Sequence, residues 1–213
     1  MSKIGVLGSG GVGQTLAKGL QGKGHAARIG SRSGDKLAAC SAETGVQEGT
    51  FADVAAWADL VILAVQGGAA EGIVRDLAPL LAGKIVIDAN NPISGPPVDG
   101  LLPYFTTDRS LMELLAAAAP EARFVKAFSS VGAHLMIDPK LPGGRPTMFI
   151  CGDDPAAKAE VVALLDSVGW DAEDVGKAPA AKAIEALCQL WCAPGILHND
   201  WVHAFKVLRP AAG

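Results

Sequence analysis

Three glycines near the start of the chain have types and spacing that suit a specific chemistry. Gly8, Gly10 and Gly13 form the spacing G-x-G-x-x-G, directly after the apolar run of residues 3–7 and before residues with helical periodicity. In a strand-turn-helix, the first glycine permits the tight turn, the second lets a pyrophosphate approach the backbone, and the third lets the helix pack on the strand. The turn N–H groups and the helix dipole attract phosphate. The predicted dinucleotide-binding residues are Gly8, Ser9, Gly10, Gly11, Val12 and Gly13.

The end of the second predicted strand indicates which dinucleotide is bound. NAD-binding units usually place Asp or Glu here, where it bonds the ribose 2′-hydroxyl. This chain instead has Ser31 and Arg32, and Lys36 follows one helical turn later. A planar guanidinium suits a phosphate, and the missing carboxylate removes a repulsion. Solvated basic residues on a loop are the alternative, but the combination of Ser31, Arg32 and Lys36 favours NADP(H) over NAD(H).

Polar residues also follow the later strands, where ligands of open α/β sheets bind. The cofactor side is predicted to include Val65, Gln66, Asn90 and Asn91. The substrate side is predicted to include Ser129, Ser130, Ala133 and His134. Asparagine side chains suit the orientation of a nicotinamide carboxamide or a substrate, and His134 is a candidate proton donor. Ordinary turn chemistry is the alternative reading at each position.

The cysteines and the remaining histidines do not form a pattern typical of a metal site. Cys188 and Cys192 stand four residues apart on a predicted helix, but no second ligand pair has matching spacing. The four cysteines, which include Cys40 and Cys151, resemble no disulfide framework. We therefore predict free, buried structural thiols and no metal. His198 and His203 are expected on the last helix as packing or surface residues.

The elements that must position these residues alternate along the chain. Strands are predicted over residues 3–7, 26–29, 60–65, 84–88 and 123–127, and helices over 11–21, 35–44, 53–58, 71–81 and 110–119. Continuous apolar strands such as LVILAV are typical of parallel sheets that are covered on both faces. The alternation predicts a doubly wound (Rossmann) α/β fold with right-handed crossovers.

The texture of the sequence changes near residue 142, after which prolines and glycines mark a loop. We predict a Rossmann domain over residues 1–142 and a small C-terminal extension over 143–213. The extension is predicted to contain a strand over 147–151, a helix over 155–168 and a strand over 170–175. Asp153 is expected to cap the first of its helices. Two further helices are expected over 179–192 and 195–208, with Pro194 between them.

Composition excludes several classes of partner. The 213 residues carry a formal net charge of −4 and no dense basic stretch, which argues against nucleic-acid binding. No apolar run reaches the length of a membrane span, and the first residues lack a signal-peptide pattern. A small-molecule substrate and a cytoplasmic location are expected.

With these residues in place, the chain resembles the NADPH-dependent coenzyme F420 reductases, also called F420-dependent NADP oxidoreductases. The resemblance is shown by KIGVLGSGGVGQTLAKGL, GHAARIGSR, VILAV, IVIDANNP, VKAFSSVGA and MFICGDDPAAKAEVVALL. It implies an NADP-binding Rossmann domain with a small C-terminal α/β extension, often in a dimer, so a homodimer is expected. It also implies hydride transfer between NADPH and a deazaflavin.

The resemblance also implies roles for particular residues. It assigns the phosphate contacts to Ser9, Gly10, Gly11 and Val12, and the 2′-phosphate contacts to Ser31, Arg32 and Lys36. The deazaflavin is expected near residues 129–134 and the C-terminal helices. Related chains often have Asn-Thr where this one has Ser129-Ser130, and proline where this one has Gln66. These differences fall on the substrate side and not on the NADP side. The resemblance therefore implies F420 as the acceptor, and the differences extend the expectation to a related flavin.

The leading hypothesis is therefore an NADP-dependent oxidoreductase. Hydride transfer between stacked rings needs no acid or base, so no catalytic side chain is predicted. One alternative is a short enzyme similar to β-hydroxyacid dehydrogenases or imine reductases, although those carry a larger helical domain. The other is a non-enzymatic NADPH-binding sensor module, which would keep the glycine pattern without an open substrate cleft.

Overall fold

A parallel six-stranded sheet forms the centre of the molecule. The computed structural model describes residues 2–32, 41–42, 45–106 and 108–210. Within these residues the sheet has the strand order β3-β2-β1-β4-β5-β6, with every neighbouring pair parallel. The strands are β1 (Lys3–Leu7), β2 (Ala26–Ser31), β3 (Gln47–Thr50), β4 (Leu60–Leu63), β5 (Ile85–Asp88) and β6 (Arg123–Lys126). This order confirms the predicted doubly wound fold.

Helices cover both faces of this sheet. They are α1 (Gly11–Gly22), α2 (Phe51–Trp57), α3 (Gly67–Leu81), α4 (Leu111–Ala118), α5 (Pro155–Ser167) and α6 (Ala181–His198). One buried apolar cluster joins the sheet to α1 and α5, and a second joins its other face to α2, α3, α4 and the start of α6. All four residues of β4 and of β5 are buried, as continuous apolar strands in such a sheet require.

One strand of this sheet was missed by the sequence prediction, and one predicted helix lies mostly outside the described residues. β3 was not predicted, because its sequence Gln-Glu-Gly-Thr lacks the apolar residues that mark a buried strand. It lies at the edge of the sheet and pairs with β2 alone, so it needs little burial. The helix expected over residues 35–44 falls almost entirely outside the described part of the chain.

The turn between β1 and α1 depends on two close backbone approaches. Gly8 has a φ of 135°, and a Cβ there would lie 2.0 Å from the backbone oxygen of Ala64. A Cβ on Gly13 would lie 1.8 Å from the backbone oxygen of Gly8. Both positions therefore require glycine, one for the turn and the other for the packing of α1 on β1.

Gly13→Ala should lower the stability of the protein, because the added methyl group meets backbone that cannot move aside. We expect the free energy of unfolding to fall by about 3 kcal/mol, the upper end of overpacking effects. Gly22→Ala, on the same helix but facing open space, serves as the control. It should raise the free energy of unfolding by roughly 0.5 kcal/mol. Urea unfolding of both variants measures this, and equal midpoints would contradict the close approach.

A second, two-stranded sheet follows residue 142. Its parallel strands β7 (Thr147–Ile150) and β8 (Asp171–Asp174) are joined through α5. The predicted cap of α5 is wrong by one residue. Asp154 accepts the N–H groups of Ala156 and Ala157 at 2.8 and 2.9 Å, while Asp153 accepts the N–H of Ala178. Since a proline follows Asp154 at the first helical position, the residue directly before that proline is the cap.

The expectation of two C-terminal helices is also wrong. Helix α6 continues through Pro194 and ends at His198, and the described residues after it are not helical. Proline removes only one hydrogen bond, so the helix continues for about one further turn. It ends at His198 because Asn199 takes a left-handed φ of 55°. The extended tail is held by tertiary hydrogen bonds. Trp191 donates its indole N–H to the backbone oxygen of His203 at 2.8 Å, and Thr147 donates its N–H to that of Phe205.

The predicted division into domains at residues 142 and 143 stays a prediction. Among the described helices, none combines the length and the apolar composition needed to cross a membrane.

Candidate functional site

A cleft opens at the carboxyl ends of the strands, where the chain order of the sheet reverses between β1 and β4. Two cavities occupy it among the described residues. The phosphate-side cavity, of about 380 Å³, lies over the β1–α1 turn, and the second cavity, of about 860 Å³, lies beyond β4 and β5. Val65, Gln66 and Ala69 line both, so the two cavities adjoin each other. This is the place where open α/β sheets bind ligands.

The phosphate-side cavity has the form of an anion cradle. Gly10 and Gly11 line it, and a Cβ on either would meet no atom within 4 Å. Helix α1 begins here with no side chain capping its first turn and no acidic residue in that turn. Its first N–H groups have no partner within the helix, and they form the positive end of the helix dipole. The predicted phosphate residues Gly8, Ser9, Gly10, Gly11 and Val12 all line this cavity.

The N-terminus of α1 differs from those of α2 and α4, which are capped by side chains. Helix α2 has a reciprocal capping box between Thr50 and Asp53, and hydrogen bonds from Thr50 lower the pKa of that Asp53 carboxyl. Helix α4 has the same arrangement between Ser110 and Glu113. Helix α3, whose first residue Gly67 lies at the second cavity, again lacks a side-chain cap. Thus α1 and α3 begin at the two cavities without a side-chain cap, whereas α2, whose first residue Phe51 also lines the phosphate-side cavity, is capped.

The structure brings Ser31 and Arg32 to the same cavity. The Oγ of Ser9 donates to the Oγ of Ser31 at 3.2 Å, which joins the phosphate turn to the end of β2. Arg32 is exposed, and no Asp or Glu is among the described residues that line this cavity. Ser31 and Arg32 also line an adjoining cavity, to which Asp76 contributes. Lys36, the third predicted residue, lies outside the described residues.

Asn90 and Asn91 both line the second cavity but differ in what they offer a ligand. Asn90 is only 3% exposed, and its Oδ1 accepts the N–H of Val65 at 2.8 Å. Asn91 donates its Nδ2 to the backbone oxygen of Ser129 at 2.7 Å. Because that oxygen can only accept, the Oδ1 of Asn91 must face away from it, and this buried atom has no partner among the described residues. Asn91 therefore keeps one buried acceptor position that no described residue fills.

The four predicted substrate-side residues after β6 line neither of the two cavities. Phe128 has a left-handed φ of 62°, which turns the chain so that Ser129 and Ser130 are 3% and 6% exposed. The hydroxyl of Ser129 is buried without a partner in the described structure, behind Asn91. Ala133 and His134 begin a short 3-10 turn, and neither lines either cavity. His134 is exposed, and its role as a proton donor stays a prediction.

Several residues of the cleft were missed by sequence reasoning. Phe51 and Ile73 line the phosphate-side cavity, and Ile93 and Phe105 line the second. These apolar side chains come from a helix start, a helix interior and a long loop, so no common pattern marks them. A charged residue inside an apolar strand is a clearer sequence signal than these scattered apolar residues. Lys126, in the strand RFVKA, is such a residue.

The three cysteines in the described part of the chain line neither of the two cavities. Cys188 and Cys192 are buried, as expected, with their sulfur atoms 3.9 Å apart in a cluster with Trp191. Cys151 is also a free buried thiol, and burial raises its pKa to about 12. Cys40 lies outside the described residues. In the part of the chain that is described, no three potential ligands gather as a metal site would require.

Comparison with known proteins adds a family to this geometry. Residues 3–92 match the sequence profile of the family described as NADP oxidoreductase coenzyme F420-dependent. A candidate F420-dependent NADP reductase from Arthrobacter sp. FB24 has a solved structure that is 36% identical. It covers 98% of this chain and is itself covered completely, with a TM-score of 0.88.

Two curated relatives carry more specific names. The F420-dependent NADP reductase of Methanocaldococcus jannaschii is 30% identical over 142 residues, which are 65% of this chain and 62% of that protein. Metalloreductase STEAP3 of Rattus norvegicus is 30% identical over 199 residues, which are 92% of this chain. The chain spans only 39% of the metalloreductase, so the activity of that whole protein does not transfer directly.

Proposed function

Because the chain belongs to the F420-dependent NADP oxidoreductase family, we propose that it transfers a hydride between NADP(H) and coenzyme F420 or a related flavin-like acceptor. The observation that carries this proposal is that the two cavities adjoin, since Val65 and Gln66 line both. One cavity offers an anion cradle beside Ser31 and Arg32. The other gives room for a second planar ring next to the nicotinamide end of the cofactor.

The residues present fit NADP(H). The open space at Gly10 and Gly11 and the uncapped N-terminus of α1 suit a pyrophosphate. Arg32 and Ser31 suit the 2′-phosphate, together with Lys36 on the sequence prediction. The unpartnered Oδ1 of Asn91 suits the carboxamide of the nicotinamide. When bound, NADPH supplies the hydride.

The chain's own residues would act by orientation and by exclusion of water. Hydride transfer moves one hydrogen with two electrons between carbon atoms that face each other, so positioning carries most of the catalysis. Ile93 and Phe105 give the second cavity apolar surface against which a ring can lie. Gly67 packs so closely on the backbone oxygen of Asn91 that a Cβ would lie 2.1 Å from it, which holds the strand ends together. No proton donor is needed at the reacting carbons.

The acceptor is the open part of the proposal. The named relatives include both an F420-dependent NADP reductase and a metalloreductase. The family and the named relatives therefore support the NADP side more strongly than any one acceptor. A homodimer and a cytoplasmic location remain proposals that follow from the family and from the composition.

Anaerobic absorbance spectroscopy tests the function. Purified protein is mixed with NADPH and, separately, with F420, FMN, FAD or a ferric chelate. We expect the F420 absorbance to bleach at a rate proportional to protein concentration, because reduction breaks the conjugation of the deazaflavin. The Gly10→Val variant, with its phosphate cradle filled, is the control for contaminating reductases. NADPH binding without reduction of any acceptor would favour the sensor module instead.

A further inference from the structure

A buried ammonium group lies beneath the second cavity. Lys126, the last residue of β6, is completely buried. Its Nζ lies 2.8 Å from Oδ2 of Asp88 and 2.9 Å from Oε1 of Glu185. It also donates to the backbone oxygen of Asn90 at 2.6 Å. A lysine has three N–H donors, so all are used inside the protein, and one side chain joins β5, the loop after β5, and α6.

Asp88 extends this connection to the junction of the two cavities. Its Oδ1 accepts the backbone N–H of Asn90 at 3.0 Å and the side-chain Nδ2 of Asn90 at 2.9 Å. Because a carboxylate only accepts, the amide of Asn90 must present its Oδ1 to the N–H of Val65. Val65 lines both cavities. The two hydrogen bonds that Asn90 makes to Asp88 therefore determine how Asn90 holds this junction.

Glu185 extends the connection to another wall of the second cavity. Its carboxylate accepts the N–H groups of Leu111 and Met112 at the start of α4, at 3.0 and 3.3 Å. Its backbone oxygen accepts the hydroxyl of Tyr104 at 2.7 Å. Tyr104 directly precedes Phe105, which lines the second cavity. The same ammonium is thus linked to the strand ends and to the loop that carries Phe105.

The charges in this cluster are poorly explained by stability alone. Burial lowers the pKa of Lys126, but the charges and hydrogen bonds of Asp88 and Glu185 together raise it above its ordinary value. The group therefore stays protonated. Buried ion clusters are often replaced by apolar residues without loss of stability, because desolvation offsets their attraction. What a cluster of charged hydrogen bonds adds is direction, since each bond fixes the angle as well as the distance.

We propose that Lys126 is a positioning residue for hydride transfer, which holds the Val65 junction through Asp88 and Asn90 and the Phe105 loop through Glu185. This inference rests on the proposed function, because the spacing in question is that of two stacked rings. A misplacement of about 1 Å between reacting groups lowers a rate about a hundredfold. Lys126 touches neither ring and acts only through these partners.

The informative variant removes all three charges together. Lys126→Met alone would strand two buried carboxylates and unfold the protein. Asp88→Asn, Lys126→Met and Glu185→Gln combined keep the side-chain sizes and the acceptor oxygens for Asn90 and Leu111. We expect this triple variant to fold and to bind adenosine 2′,5′-bisphosphate like the wild type, because that ligand ends before the nicotinamide. Its kcat for acceptor reduction should fall about a hundredfold.

The matched control breaks a different ion pair. Lys158 lies 2.7 Å from Asp174 and lines neither cavity, so Lys158→Met with Asp174→Asn should leave kcat unchanged. A folded triple variant with a kcat within about twofold of the wild type would overturn the proposal. If the triple variant does not fold, Tyr104→Phe decides, because it removes one hydroxyl and no charge. It should lower kcat or raise the acceptor KM, and unchanged values for both would overturn the proposal.

A measurement without an acceptor separates this inference from the proposed function. The fluorescence of bound NADPH comes from its nicotinamide ring and reports how that ring is held. If the wild-type protein reduces no acceptor, the proposed function fails, but the spectra can still be compared. A changed emission in the triple variant, with unchanged affinity for adenosine 2′,5′-bisphosphate, supports positioning by Lys126. Identical emission in the two proteins would reject it.

Discussion

The Gly10→Val variant is expected to lose NADP(H) binding while its fold stays intact. Gly10 has φ and ψ of −79° and 178°, an extended conformation that valine adopts without strain. A Cβ at this position meets no atom of the described protein within 4 Å, so the new side chain fits. It occupies the space above the first turn of α1, where the pyrophosphate would accept N–H groups.

The size of this effect follows from the hydrogen bonds that are lost. A hydrogen bond to a charged group contributes about 1.5–3 kcal/mol, and two such bonds give at least a hundredfold, or roughly 3 kcal/mol. Titration of NADPH fluorescence measures the dissociation constant, and circular dichroism measures the melting temperature. Gly22→Val is the matched control, because Gly22 also faces open space but ends the same helix. Undiminished affinity in Gly10→Val would show that the turn is not the phosphate site.

The Arg32→Glu variant is expected to lose affinity for NADPH far more than for NADH. Arg32 and Ser31 lie at the end of β2 and line the phosphate-side cavity, whose described lining contains no carboxylate, while Asp76 lines an adjoining cavity with them. The substitution removes a guanidinium and places a negative charge against the 2′-phosphate. NADH lacks that phosphate and should be nearly unaffected. We expect the NADPH dissociation constant to rise about a hundredfold, as the loss of a charge-assisted hydrogen bond and a new repulsion imply.

Parallel titrations with the two dinucleotides give the selectivity directly. Arg75→Glu makes the same change in net charge on α3, and Arg75 lines neither cavity, so this control should leave both affinities unchanged. If Arg32→Glu weakens NADPH and NADH equally, the 2′-phosphate does not lie at Arg32. In that case Lys36, which the sequence also indicates, becomes the residue to substitute.

The parts of this protein that could be predicted from its sequence are those with local causes. The turn from β1 to α1 needs glycines at fixed spacing, so Gly8, Gly10 and Gly13 mark it within six residues. The apolar strands LVIL and IVID are continuous because both faces of a parallel sheet are buried. The dinucleotide preference is indicated by Ser31 and Arg32, since one strand end determines which group meets the ribose.

Errors occurred where local preference and tertiary contact disagree. Pro194 predicts a helix boundary, but a proline removes only one hydrogen bond, and the packing of α6 carries the helix four residues further. The tail after Asn199 has helical composition, yet it lies extended because Thr147 and Trp191 supply hydrogen bonds to it. The cap of α5 moved from Asp153 to Asp154 because the proline at the first turn sets the register.

The sequence by itself determined the alternation of strands and helices, the phosphate turn and the charge at the end of β2, because each depends on neighbours in the chain. Only the tertiary structure decided the shape of the second cavity and the ion cluster beneath it. Lys126 stands 38 residues from Asp88 and 59 from Glu185, so no periodicity connects them. From the sequence alone, a single lysine in a strand predicts an exposed position at the edge of the sheet. It becomes a buried centre of hydrogen bonds only when β5 and α6 fold around it and exclude water.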